Sequence, residues 1–324
     1  MFGNWIGWLI SAVIALLVGL LLLLLPTLVL RPSPPTALGA NAANLTLQMP
    51  ISPRTLAPWM NREADAGPLY RQAIEAYSKE PRLYDNFRKR TDWKDSDIRK
   101  LAALEPLLKA ADAKTATIFA ATPREVIRYD RKEPLRALET VGKAANWAGL
   151  MYAADNPDRA MQYYRAAFSL GVHLAEERIR WDQYDVGMKL FGDAAAAMKS
   201  IAEDRKDTAF LNQFNTFTDS KIRFYNQAVL PVYKAVKRLN PWPGDVFAIA
   251  ENCKERTWRI EAILILGQFK YNVDASKRRG DQHYALRLID RYARSSDPLI
   301  RAAAEAARDL TIEDFRVNIG RPEE

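Results

Sequence analysis

The residues with the greatest chemical capacity fall in one stretch: His173, Glu176 and Glu177, followed by Asp182 and Asp185. His173 and Glu177 are four apart, so on a helix they face the same side. That lays out half of a metal site. A di-metal site in a helical bundle needs a second Glu-x-x-His motif from another helix. His283, the other histidine, follows Gly280, Asp281 and Gln282 and does not supply it. The same carboxylates could serve as a general acid and base if an apolar pocket raised the pKa of one of them. Arg178 and Arg180 stand beside them and pull carboxylate pKa values the other way. The favoured reading is a solvated charged face, with Glu176 or Glu177 paired to Arg180 and His173 partly buried. Cys253, among Ile249, Ala250 and Thr257, lacks a neighbouring base and reads as a small apolar-face residue. Gly-rich phosphate loops, H-E-x-x-H and G-x-S-x-G are all missing. No catalytic residue, metal ligand or cofactor is assigned.

Basic residues form the second candidate set. Lys221, Arg223, Lys234, Lys237 and Arg238 run without an acid between them, and Phe224, Tyr225 and Tyr233 are interleaved. Lys277, Arg278 and Arg279 open a second run. Such patches suit anionic lipid headgroups or an anionic polymer. Phosphates of nucleic acid are the less favoured target, and a solubilising helix face is the plainer reading.

These residues sit in a chain of 324, with 47 Lys+Arg against 39 Asp+Glu and a formal charge of +8. One cysteine excludes an internal disulfide framework. Charged residues at 27% and hydrophobic residues at 48% are ordinary globular usage, which excludes a disordered chain.

The first 30 residues carry no charge, and Leu20 to Leu25 is unbroken. A bilayer core needs about 20 helical residues, so Trp5 to Leu30 is long enough to span it. Trp5 and Trp8 stand where amphipathic rings meet headgroups. The start lacks Lys and Arg and the apolar core is too long for a cleaved signal peptide, so a retained anchor is expected. Arg31 alone argues for a cytoplasmic domain. Long domains translocate regardless of such a bias, and the extracytoplasmic side is the favoured location.

Residues 31–60 hold Pro32, Pro34, Pro35, Pro50, Pro53 and Pro58, the composition of a semi-rigid stalk. Asn44-Leu45-Thr46 matches a glycosylation acceptor. Residues 61–320 read as one helical domain with an internal boundary near 203–207. Apolar positions recur every three to four residues: Leu135, Leu138, Val141, Ala145, Ala148 and Tyr152 form one stripe. Met161, Tyr164, Phe168, Val172 and Ala175 form a second. Val246, Ile249, Cys253, Ile260, Leu264 and Gly267 form a third. Asn156-Pro157 and Asp297-Pro298 are helix starts, and Asp245 and Asp281 are expected caps. Helices are predicted near 66–79, 96–119, 134–154, 157–174, 176–202, 208–239, 245–270, 281–293 and 298–309. Pro106 and Pro231 should break or kink theirs, and no strand is expected.

Ala160-x-x-x-Tyr164-x-x-Ala167, preceded by Trp147-x-x-Leu150, resembles a tetratricopeptide unit. Ala66-x-x-x-Tyr70-x-x-Ala73 repeats its second half. Asp297-Pro298-Leu299-Ile300-Arg301-x-x-Ala304-x-x-Ala307 resembles one helix of a HEAT-type repeat. The whole layout resembles membrane-anchored helical proteins of bacteria without an assigned function. The residues behind this are Asp158-Arg159-Ala160, Leu170 to Glu177, Tyr184 and Gly187. The resemblance implies architecture only.

The expectation is therefore an all-α protein: a single transmembrane helix, then an irregular helical bundle or short α-solenoid-like domain. Its expected role is a noncatalytic scaffold or interaction module that binds a protein partner at the membrane. A binder of anionic membrane surface or polymer is the first alternative. An envelope enzyme with an unrecognised site is the second.

Overall fold

The computed structural model describes residues 32–87, 94–119, 127, 133–236, 241–269 and 279–310. The expected membrane span lies outside them, as do Lys237, Arg238, Lys277 and Arg278. Among the described residues, no helix is long and apolar enough to cross a membrane.

The described chain is mostly helical. In order it forms α1 (Ala37–Ala40), β1 (Arg62–Asp65), α2 (Gly67–Lys79), α3 (Pro81–Phe87), α4 (Asp95–Ile98), α5 (Leu104–Ala110) and β2 (Ala113–Thr115). There follow α6 (Glu133–Tyr152), α7 (Pro157–Glu177), α8 (Trp181–Asp204), α9 (Thr208–Phe224) and α10 (Leu230–Val236). The last are α11 (Pro243–Asn252), α12 (Arg256–Phe269), α13 (Arg279–Tyr292) and α14 (Pro298–Asp309). The chain divides into two compact units. The second holds the described residues of Leu45–Tyr233 and Lys254–Glu261; the rest belong to the first.

The second unit is built on α6, α7 and α8. Asn156 caps α7 by accepting from the Arg159 N–H at 3.0 Å, which starts the helix where the Asn-Pro pair predicts. Glycines then let α7 and α8 approach until backbones touch. A Cβ on Gly171 would stand 2.5 Å from Phe191 N, and one on Gly187 would stand 2.6 Å from Ala175 N. The connector between them turns at Arg178, whose φ of 25° is rare for a residue with a Cβ. Tyr164, Phe168, Val172 and Ala175 are buried, as their spacing predicts. So are Leu138, Val141, Ala145 and Ala148 on α6. Ala160, Tyr164 and Ala167 of the tetratricopeptide-like stretch are buried too, while Trp147 and Leu150 are exposed.

The stretch 96–119 is not one helix. Pro106 sits in the first turn of α5, where its missing N–H leaves no helical bond unmade, so it starts a helix instead of kinking one. Beyond α5 the chain extends, and β2 pairs in parallel with β1, with Arg62 opposite Ala113 and Asp65 opposite Thr115. Two strands of four and three residues are too short to show an alternating pattern in sequence. The stretch 208–239 is helical through Val236, with a wider π turn at Tyr225–Val229. That turn precedes Pro231, which has no N–H to complete an ordinary helical bond. The charged stretch 203–207 is the turn between α8 and α9, inside the second unit. Lys206 adopts a φ of 55° there, the left-handed position usually given to glycine.

In the first unit, residues 32–44 lie beside α11. Asp245 and Asp281 stand in the first turns of α11 and α13. Expected as helix caps, they instead accept hydrogen bonds from residues 33–39, as detailed below. Further along, Asp297 does cap α14, accepting from Leu299 N at 2.8 Å. Val246, Ile249, Cys253 and Leu264 are buried. Tyr284 donates to Glu251 at 2.9 Å, and Tyr292 donates to the Ala250 carbonyl at 2.8 Å.

Candidate interaction surface

The acid–histidine cluster is spent on structure. His173 is 1% exposed on α7, inside the second unit. The Tyr70 hydroxyl lies 2.8 Å from its Nδ1, and the Ala113 carbonyl lies 3.1 Å from its Nε2. A carbonyl only accepts, so Nε2 carries the proton, and Tyr70 donates to Nδ1. Burial, reinforced by the charge of Arg54, lowers the His173 pKa to about 4. A neutral ring with both nitrogens engaged ties α7 to α2 and β2; it is not placed to take a proton from a substrate.

The acids beside it follow the same pattern. Glu176 holds Arg54 through two contacts of 2.6 Å, not Arg180. Glu177 accepts from the Ile118 and Phe119 amides at 2.9 and 2.8 Å. Arg180 pairs with Glu261 at 2.7 Å, and the same carboxylate oxygen accepts from Trp181 N at 3.0 Å. Asp185 pairs with Lys189 at 2.7 Å. Cys253 is buried at the end of α11, and His283 is exposed on α13. Among the described residues, no group of three His, Cys, Asp or Glu side chains is placed to hold a metal ion.

What the second unit leaves open is the pair α8 and α9. Of the 17 residues in α9, only Phe217 and Phe224 are buried, although Phe210, Phe214 and Ile222 add apolar surface. Ile222 is 54% exposed. Two grooves are each lined by both helices. One, of about 610 Å³, is lined by Met188, Asp185 and Asp193 from α8 and by Phe214, Lys221 and Ile222 from α9. The other, of about 490 Å³, includes Trp59, Met161, Met198 and Phe210. At its edge Arg165 lies over the Trp59 ring, 5.0 Å from the centroid, and Arg205 pairs with Asp158 at 2.8 Å. Methionine and aromatic linings adapt to varied apolar side chains.

Lys221 is the chemically distinct member of the larger groove. Its Nζ stands 5.1 Å above the centre of the Phe191 ring. Gly192 makes the space: a Cβ there would lie 2.9 Å from that nitrogen. Burial lowers the Lys221 pKa, and Asp193 opposes this only in part. Among the described residues, no carboxylate reaches ion-pair distance of it. The aromatic face compensates such an ammonium weakly compared with a carboxylate.

The described basic residues differ in exposure. Lys221 enters the groove, while Arg223 and Lys234 are exposed. Arg279 opens α13. The groove could be found in sequence only through the surplus of phenylalanines on 210–224, whose spacing also fits an ordinary core face. No protein-family model matches the chain, and comparison with curated proteins and with solved structures finds no match to it.

Proposed function

We propose that this chain is a membrane-anchored, noncatalytic interaction module, held by residues 5–30 with its helical units outside the cytoplasm. Its partner is an amphipathic protein segment that lays apolar side chains into the groove between α8 and α9 and presents one carboxylate to Lys221. The observation that carries this reading is the Lys221 ammonium: half-buried over Phe191, with its pKa lowered by burial and, among the described residues, no carboxylate at ion-pair distance, Asp193 acting on it only from further off. An arriving acid offsets that burial, and a charge-assisted hydrogen bond formed away from water is stronger than an exposed one. The exposed Ile222 and the thinly covered α9 supply the apolar part.

The test is a photo-crosslinking residue at Ile222 in the full chain, in its own membrane. The expected result is one protein adduct whose crosslinked segment contains an Asp or Glu. Lys221→Glu should remove the adduct, and reversing the partner's acid to Lys should restore it. An adduct indifferent to the charge at 221, or one formed with another copy of this chain, overturns the proposal.

A further inference from the structure

The first unit contains a clamp that no expectation from sequence included. Ser33 gives its N–H and its hydroxyl to the two oxygens of Asp281, at 2.6 and 2.8 Å. Thr36 gives its N–H to Asp245 at 2.7 Å, and its hydroxyl lies 2.8 and 2.9 Å from the two oxygens of that carboxylate. Gly39 N adds a third donor to Asp245, at 3.2 Å. Between these two anchors the Trp242 indole donates to the Pro34 carbonyl at 2.7 Å. Gly244 seals the contact, since a Cβ there would stand 2.1 Å from Pro34 O and 2.6 Å from Ser33 O. Both carboxylates are buried, at 5% and 3% exposure. Buried carboxylates aimed at one short segment make a specific, fully hydrogen-bonded seat.

The place of that segment in the chain gives the clamp its meaning. Ser33 is three residues beyond Leu30, the last residue of the apolar run. Three extended residues reach at most about 11 Å. Trp242, Gly244 and Asp281 are thus held close to the point where a membrane span would end. Trp242 is 42% exposed although its N–H is satisfied by the Pro34 carbonyl, which leaves part of an amphipathic ring uncovered by protein. The two basic runs of the sequence, 234–238 and 277–279, directly precede the clamp residues Trp242 and Asp281 along the chain.

We infer that the clamp seats the first unit on the phospholipid headgroup layer of its own membrane, with Trp242 at headgroup depth. This rests on residues 5–30 being a retained span. The test uses the full chain labelled with 5-fluorotryptophan in bilayers of phosphatidylcholine and about one-third phosphatidylglycerol. A lipid with a paramagnetic headgroup is added, and the Trp242 fluorine signal is assigned with Trp242→Phe. The expected result is several-fold broadening of Trp242, Trp5 and Trp8. A long Gly/Ser spacer inserted between Arg31 and Pro32 leaves the clamp intact. It should cut the broadening of Trp242 several-fold and leave Trp5 and Trp8 unchanged. A sharp Trp242 beside broadened Trp5 and Trp8, or no effect of the spacer, overturns the inference and leaves the anchor standing. Sharp signals at all three, with extraction of the chain by alkaline carbonate, overturn the anchor and the inference together.

Discussion

The two units use buried charge for different ends. In the second unit, His173, Glu177, Arg180 and Glu261 turn inward and bind neighbouring backbone or one another, so polar groups close the fold. In the first unit, Asp245 and Asp281 reach outward along the chain and grip residues 33–39. The second unit nevertheless leaves α9 thinly covered beside α8. The outward grip fixes residues 33–39 against α11 and α13. A buried acid is therefore not a sign of chemistry in this molecule; its partners decide whether it closes a core or fixes an incoming segment.

The largest test of that contrast is Arg180→Met. It takes the Arg180 guanidinium away from Glu261, 0% exposed, and removes the donor to the Ile127 carbonyl. Losing one partner of a buried pair should cost about 3–5 kcal/mol of unfolding free energy, read by chemical denaturation. The double change with Glu261→Gln should return part of it. Equal loss in single and double variants would show that the pair itself is not what the interior depends on.

Acid is next. His173 has its folded pKa lowered to about 4, so the unfolded chain binds more protons between pH 6.5 and 4. Its contribution is whole above pH 6.5 and fades as pH falls through that window, by roughly 3 kcal/mol in total. Measuring stability at pH 6.5 and 5 in the native chain and in His173→Asn isolates it, because most carboxylates titrate lower. Parallel pH curves for the two proteins would contradict the assignment of a neutral buried ring.

The smallest expected effect lies in the first unit. Gly244→Ala pushes a methyl group into the Pro34 and Ser33 carbonyls and should cost about 1–3 kcal/mol. Amide exchange should accelerate in residues 33–44 and α11 and stay unchanged in α7 and α8. Acceleration spread evenly over the chain would erase the distinction between the two units.

Helices were the legible part of the sequence. Asn156-Pro157 and Asp297-Pro298 mark helix starts because a cap acts within three residues. The fate of His173 also had a signal, since Gly171, Val172, Leu174 and Ala175 surround it with apolar neighbours. The pairing of β1 with β2, the seat of Arg54 on Glu176 and the clamp were not legible. They join residues tens to hundreds of positions apart, and nothing local to Asp245 or Asp281 tells whether its acceptors serve its own helix or a distant strand of chain. The groove stayed hidden for another reason: Phe210, Phe214 and Phe217 have the spacing of a core face, and only the neighbours in space show which part is uncovered.

The clamp also sets an order of events during synthesis. Ser33 and Asp281 are 248 residues apart. At roughly 5–20 residues per second, Asp281 leaves the ribosome about 12–50 s after Ser33 does. Through that interval the residues next to the apolar run have been made and their acceptor has not. The segment around Ser33 therefore waits without this acceptor until most of the chain has been made, and the seat can close only after synthesis has passed Asp281.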